Sequence, residues 1–359
     1  PSIRAEWNLR DPENNKWWHV GRTGQQAVEL EQLIRLGGKR KADLQLAKAN
    51  TAVAQFNLES LLRNLLRQLW NKAVDQHVLQ VRSYRYEQQL KPFAELVKQI
   101  ELQVEKKNLP VRDLLRLQTT FLQMQQEQMN IGALLAQANA DLRLLIGTEV
   151  PVSIQLDSIS MLPASLPGID SLLALARQNR PELKLSQAEL QQAGALVKWE
   201  KSQAIPDLTG FANYDRQSGA FRNEFNMGIA LPLPFFSRNQ GGIKAAKFQQ
   251  QAIAHKVDFL QQSVAEEVRV AYLQYMNRVK LWETGARSTD QLYTEVMKAA
   301  MDHYRKGNIS LLEFMDLYES GLETFNSKLA MLEALLETVI QVNFAVATEV
   351  LPLKISSNL

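Results

Sequence analysis

The sequence predicts an α+β chain in which one plan is written twice: alternating β segments run straight into helices of exceptional length. Three observations carry this reading. The triplet Thr148-Glu149-Val150 recurs as Thr348-Glu349-Val350, and at the same offset of 200 Leu135 meets Leu335, Leu122 meets Leu322, Leu117 meets Leu317 and Asn108 meets Asn308. The segments ahead of the helices alternate apolar and polar residues at period two, which is strand patterning. Between Lys39 and about Lys107 there is no glycine, and Pro92 alone interrupts a helical pattern. The period is far too long for a solenoid, so this is a tandem duplication.

The first repeat covers 1–150. Its hairpin, 2–34, opens with Ile3, Ala5, Trp7 and Leu9 alternating with polar residues and returns through "QAVELEQLI" after a polar connection that carries Trp17 and Trp18. Gly37 and Gly38 follow, then a helix over 39–107. Leu58, Leu61, Leu65, Leu69 and Ala73 form one stripe on it, and Leu62, Leu66, Trp70 and Val74 a second beside it. Two adjacent stripes require neighbours on two sides. At 1.5 Å per residue such a helix is roughly 100 Å long, which implies a coiled-coil or helical-barrel setting. Pro92 is expected to kink or break it. "KKNLP" (106–110) is a turn, with Asn108 ending one helix and Pro110 in the first turn of the next, and the return helix spans 110–147.

Residues 151–204 read as a proline-spaced linker followed by a short and a longer helix, with Pro181 at the first position of the second. The second repeat covers 205–350. Its hairpin, 207–236, places Phe225, Met227, Ile229, Leu231 and Leu233 at period two. Gly241 and Gly242 match the first glycine pair at an offset of 204, about one helical turn away from the register of the rest. Helices over 242–306 and 311–348 follow, with Gly307 as the cap between them, and 351–359 is a tail.

Composition excludes several classes. A net charge of +3 is too small to suggest a nucleic-acid partner. There is no cysteine for a disulfide or thiolate site. No run of 18 apolar residues is present. The chain opens at Pro1 and reads as cut from a larger precursor. His19, His77, His255 and His303 are scattered without a catalytic motif, so the chain is not expected to be an enzyme or to need a cofactor. Met297 and Met301 share a helix face, and thioethers suit Cu(I). Core packing by flexible methionines is the simpler account, and no metal site is assigned.

Each hairpin has one apolar face with aromatics near its ends: Trp7, Trp17, Trp18, Phe211, Tyr214 and Phe225. This fits either a small sheet packed on the helices or a membrane β-barrel. The direct join of strand to long helix favours a barrel that continues into a helical tube. Four strands do not close a membrane barrel, for which about eight is the usual minimum. Three chains would supply twelve, so a homotrimer is expected.

"IALPLPFFSRNQGGIKAAK" (229–247) resembles the signature of the TolC-like outer-membrane efflux factors. "IRLGGKRKADLQLAKA", "NRPELKLSQAELQQA" and "YRKGNISLLEFMDL" are similar to that family at matching places. The likeness extends over essentially the whole chain and is strongest to the heavy-metal branch, of cobalt-zinc-cadmium and copper-silver type. It implies a trimeric twelve-stranded outer-membrane barrel, a periplasmic α-helical barrel and an equatorial girdle at 151–204. It also implies a periplasmic adaptor, an inner-membrane pump of the RND type and outer-membrane lipid as partners. Family chains begin with a signal sequence and further helices that are not in this sequence, so any lipid anchor there is unseen.

By motif position the resemblance places a gate at the two helix tips. Asp113, Glu313 and Asp316 would form acidic rings facing the pore, and Glu313 and Asp316 share a helix face. A carboxylate ring attracts cations at a constriction. The same residues also suit an ordinary first helical turn, where acids favour the dipole. Tyr304 and Arg305 would hold the gate, and Asn108, Gly307 and Asn308 would meet the adaptor. The function implied is passive exit of heavy-metal cations. The alternatives are a duct for drugs or secreted proteins and, from another class, a soluble periplasmic coiled-coil adaptor.

Overall fold

A computed structural model of the chain describes every residue except 12–14, 18–23, 155, 157–165, 218–221, 286–288 and 354–359. Trp18, His19 and most of the proline-spaced linker therefore lie outside the described residues. The elements in order are β1 (Ser2–Trp7), β2 (Arg10–Asp11), β3 (Lys16–Trp17), β4 (Gln26–Ile34), α1 (Lys39–Glu105), α2 (Val111–Ile146), α3 (Ile169–Asn179), α4 (Pro181–Gln203), β5 (Leu208–Gln217), β6 (Arg222–Ala230), α5 (Gln240–Gly285), α6 (Thr289–Arg305) and α7 (Leu311–Val346). They divide into two compact units, one of residues 1–58 with 182–260 and one of residues 59–181 with 261–359.

The first unit is built on an antiparallel sheet in the order β1-β4-β5-β6. Its register sorts the side chains by face. Ile3, Leu30, Ala212 and Met227 stand in one cross-strand row, and Ala5, Val28, Tyr214 and Phe225 in the next row on the same side. Arg4, Glu29, Asn213 and Asn226 form a row on the opposite side, followed by Glu6, Ala27, Asp215 and Glu224. One face is thus apolar and the other charged, as period-two alternation requires. The apolar face is bare within the chain: Ile3 and Met227 are each 74% exposed and Ile229 75%. Among the described residues β1 and β6 each pair on one side only. On the polar face Phe211 lies over Gly228, where a Cβ would meet the ring at 2.6 Å.

Beneath the sheet, polar contacts fasten strands to helices. The buried Lys39 ammonium is 2.7 Å from Asp207, whose carboxylate also accepts from the Leu36 amide. Trp199 of α4 donates to Asp43 of α1 at 2.7 Å, and Arg35 pairs with the same carboxylate. Gln192 reaches Asn50, and Glu189 takes Lys256 of α5, so α4 is tied to both long helices within this unit.

The two glycine pairs, expected to be equivalent, serve different ends. Gly37 and Gly38 both have positive φ and form the left-handed bend from β4 into α1. Gly241 and Gly242 lie inside the first turn of α5, and Asn239 takes the left-handed position there. Gly242 is needed for proximity instead, since a Cβ would come within 2.6 Å of the Asn239 and Glu200 side chains.

The second unit is helical. Val74, Phe93, Leu96, Leu117, Ile131, Leu142, Leu335 and Leu336 are among its most buried side chains. α7 is apolar enough over part of its length to pass for a membrane span, but more than half of that window is buried against the rest of the chain. It is the central core helix. The fully buried Gln76 of α1 donates to Asn139 and to the Val152 carbonyl and accepts from the Ile154 amide, which holds the segment after α2. Asn343 does the same for the C-terminal segment, accepting from the Val350 and Leu351 amides.

The break expected in the first long helix needs correction. α1 runs unbroken through Pro92. A helix-interior proline costs about 3 kcal/mol, but the adjoining Phe93 and Leu96 are fully buried, and burying two such side chains returns about 3–6 kcal/mol. Packing therefore outweighs the lost bond. In the second repeat α5 and α6 are helical on either side of 286–288, which lie outside the described residues.

The bend at Gly37 supports a comparison. A Cβ there would sit 2.8 Å from the Ile205 side chain, whereas one at Gly38 meets nothing within 4 Å. Both positions impose the left-handed cost of about 1–2 kcal/mol on a replacement. Gly37→Ala is expected to lower the thermal midpoint more than Gly38→Ala, the excess coming from the clash. Melting by circular dichroism of the two variants checks this.

Candidate functional site

The two helix tips, α1 to α2 and α6 to α7, both belong to the second unit and are built by the same hydrogen bonds 200 positions apart. The Lys107 amide donates to Val104 and the Gly307 amide to Tyr304, both at 2.9 Å. The Asn108 amide reaches Gln103 and the Asn308 amide His303, again both at 2.9 Å. Lys107 and Gly307 take the left-handed conformation at φ 61° and 72°. These are Schellman ends, in which the chain folds back on its last orphan carbonyls. Even the side chains repeat: Asn108 donates to the Gln103 side chain, and Asn308 contacts His303 Nδ1. Leu109 and Ile309 then turn inward against a shared core.

That core is aromatic. The fully buried Phe93 faces Phe121, Phe314 and Tyr318 with ring centroids 5.0–6.4 Å apart, and Tyr304 stacks on Phe314 at 5.0 Å. Met297 and Met301 pack on the same cluster. Flexible thioethers beside rings fill irregular gaps, so packing accounts for the methionine pair.

The site residues named from sequence fall into distinct settings. Asn108, Gly307 and Asn308 are exposed at the apices. Tyr304 is half-buried on Phe314; burial, and then the charge of Asp113, push its phenol up, so it stays a protonated donor. Asp113 also lies 3.5 Å from the neighbouring Arg112. Arg305 points to Glu95 of α1 at 4.0 Å, an exposed pair of the kind that contributes little. Asp316 is exposed and one turn beyond Glu313. The fold brings Asp113 near Tyr304, and Arg305 to Glu95.

Glu313 has a second occupation. Ser310 and Glu313 form a reciprocal capping box at the start of α7: Glu313 Oε2 accepts from the Ser310 amide and hydroxyl, both at 2.8 Å, and the Glu313 amide donates to Ser310 Oγ. The bonds from Ser310, backbone first, hold this carboxyl below its ordinary range. The spacing Ser310-x-x-Glu313 is the sequence signature of such a box, and was available as a signal.

Residues 172–345 match the family model described as outer membrane efflux protein. The matched domain model covers a little under half of the chain. The domain takes in α3, α4, the second hairpin and α5 to α7 as far as the end of the core helix. Over 107 residues the chain is 36% identical to the cobalt-zinc-cadmium resistance protein CzcC of Cupriavidus metallidurans. That stretch is 28% of this chain and 24% of the other, so only about a quarter of the curated relative is matched. Among solved structures, a membrane protein from Pseudomonas aeruginosa superimposes with a TM-score of 0.76 at 16% identity, over 96% of this chain and 80% of that one. A structure of CusC, described in terms of transmembrane channel formation, gives 0.74 at 18% over 96% and 82%. The Campylobacter jejuni CmeC outer membrane channel gives 0.75 at 12% over 97% and 77%. The chain therefore has the α+β fold of these outer-membrane channel structures.

The capping box makes a prediction. Ser310→Ala is expected to destabilise by about 1 kcal/mol. Because the folded-state pKa of Glu313 is depressed, its contribution is present above the unfolded value and lost as pH falls through the folded one. The difference in thermal midpoint between the wild type and Glu313→Ala should be seen at pH 7 and should shrink in acid. A difference independent of pH would assign the loss to packing.

Proposed function

We propose that this chain is the outer-membrane duct of a tripartite efflux pump. The single observation that carries the reading is the sheet: one bare apolar face, one charged face and two open edges, in a four-stranded sheet. Left in water, such edges and such a face are liabilities. Three copies joined edge to edge give a closed twelve-stranded barrel, with the Met227 and Leu30 rows toward lipid and the Arg4 and Asp215 rows toward an aqueous lumen. The homotrimer follows from this closure.

The cargo assigned is heavy-metal cations, on the likeness to a protein named for cobalt, zinc and cadmium resistance. Conduction is passive. The gate lies at the helix tips, where Asp113, Glu313 and Asp316 supply carboxylates and Tyr304 and Arg305 restrain the helices. The two roles of Glu313 are compatible, since Oε2 takes both bonds from Ser310. Asn108, Gly307 and Asn308 are the exposed points offered to a periplasmic adaptor, and an inner-membrane pump supplies the energy.

The mass of the solubilised full-length protein should be that of a trimer, with mixed helical and β circular dichroism. A species that is monomeric and soluble without detergent would overturn the barrel. In planar bilayers Asp316→Asn should lower cation preference and Arg305→Ala should raise passive leak. Channels indistinguishable from wild type in both respects would remove the gate from the tips and leave the duct.

A further inference from the structure

Beside the C-terminal end of α7, within the second unit, lies an open cavity of about 360 Å³. Leu66, Trp70, Ile340 and Leu353 give it an apolar lining. Two guanidinium groups converge there on one ring: Arg63 is 3.7 Å and Arg67 4.2 Å from the Phe344 centroid. Their situations differ. Arg63 donates to the Phe344 carbonyl in the last turn of α7, where the dipole also favours a cation. It is a helix cap. Arg67 stacks on Phe344 and makes no hydrogen bond or ion pair among the described residues, although it is half-buried.

A guanidinium offers five N–H donors in a fixed fork, and partial burial raises the cost of leaving them without an acceptor. Contact with the Phe344 ring holds Arg67 in place and leaves its N–H donors to bind. We propose that the cavity binds an amphipathic organic monoanion, with its carboxylate on Arg67 and its alkyl body against Leu66, Trp70, Ile340 and Leu353. The planar match of guanidinium and carboxylate permits a two-point bond. The volume lies near the lower end of the roughly 300–1,000 Å³ typical of small-ligand pockets, which suits one medium-length chain and not a two-chain lipid. Glu59 and Glu349 also line the cavity. They disfavour a multiply charged head, so a carboxylate fits better than a phosphate.

The test uses full-length protein in nanodiscs of zwitterionic lipid and a decanoate carrying a photoreactive diazirine at its far end. Label mapped by peptide mass spectrometry is expected on α1 around 66–70 and on α7 around 340–344. Excess decanoate should compete it away and decanol should not. Loss of a charged hydrogen bond should reduce labelling in Arg67→Gln about tenfold, with partial recovery in Arg67→Lys. Leu66→Trp narrows the cavity without touching charge and should reduce labelling as strongly, which keeps the test open if Arg67→Gln fails to fold. Absence of label at these segments, or equal label in wild type, Arg67→Gln and Leu66→Trp, overturns the proposal. So does a Leu66→Cys disulfide to a second copy that forms with no label present, because a protein surface then fills the space.

Discussion

Among the described residues the four-stranded sheet has two unlike faces and two open edges. The Ile3 to Met227 row asks for an apolar medium and the Arg4 to Asn226 row for water. Backbone donors and acceptors along β1 and β6 need partners wherever water is scarce. The rest of the molecule accommodates this. β4 passes into α1 through Gly37 and Gly38 and β6 into α5 through 231–239, and polar contacts at the joins, Lys39 with Asp207 and Asn239 with Glu200 of α4, fasten them within the first unit.

The duplication is best seen in hydrogen bonds. Gly147 and Ala347 both end their helices in the left-handed conformation, and the Thr148 and Thr348 amides donate to Arg143 and Asn343. The residues at these ends vary while the geometry repeats, because the constraint is on orphan carbonyls and not on side chains. Lys107 occupies the position that Gly307 holds in the other repeat, at the modest cost of a left-handed non-glycine residue. The joins below the sheet show the reverse. There the glycine pairs look alike and do different work, one by positive φ and one by close approach to Asn239 and Glu200.

At the candidate site, position was legible and pairing was not. Asn108, Gly307 and Asn308 fall at the apices because turn chemistry is local. Glu313 reads as one member of an acidic row, and its bonds to Ser310 are the one pairing here that a local spacing signals. Tyr304 against Phe314 and Arg305 against Glu95 join segments far apart in the chain. No periodicity in one helix announces which residue of another it will meet. Arg67 carries no signal in the sequence for the same reason, since its meaning comes from Phe344, a residue on a different helix.

The sequence by itself determined the elements and their order: strands from period two, helices from unbroken runs with two apolar stripes, and turns from Asn, Gly and Pro at the tips. It also determined the repeat, because a copied pattern needs no third dimension to be seen. Tertiary structure decided what local rules leave open. Burial of Phe93 and Leu96 carried α1 past Pro92. Packing turned α7, apolar enough for a membrane, into the core helix of the second unit. Register placed Met227 and Asn226 on opposite faces of one sheet. Each outcome is a sum over contacts between distant segments, and such sums exceed single-residue preferences by several kcal/mol.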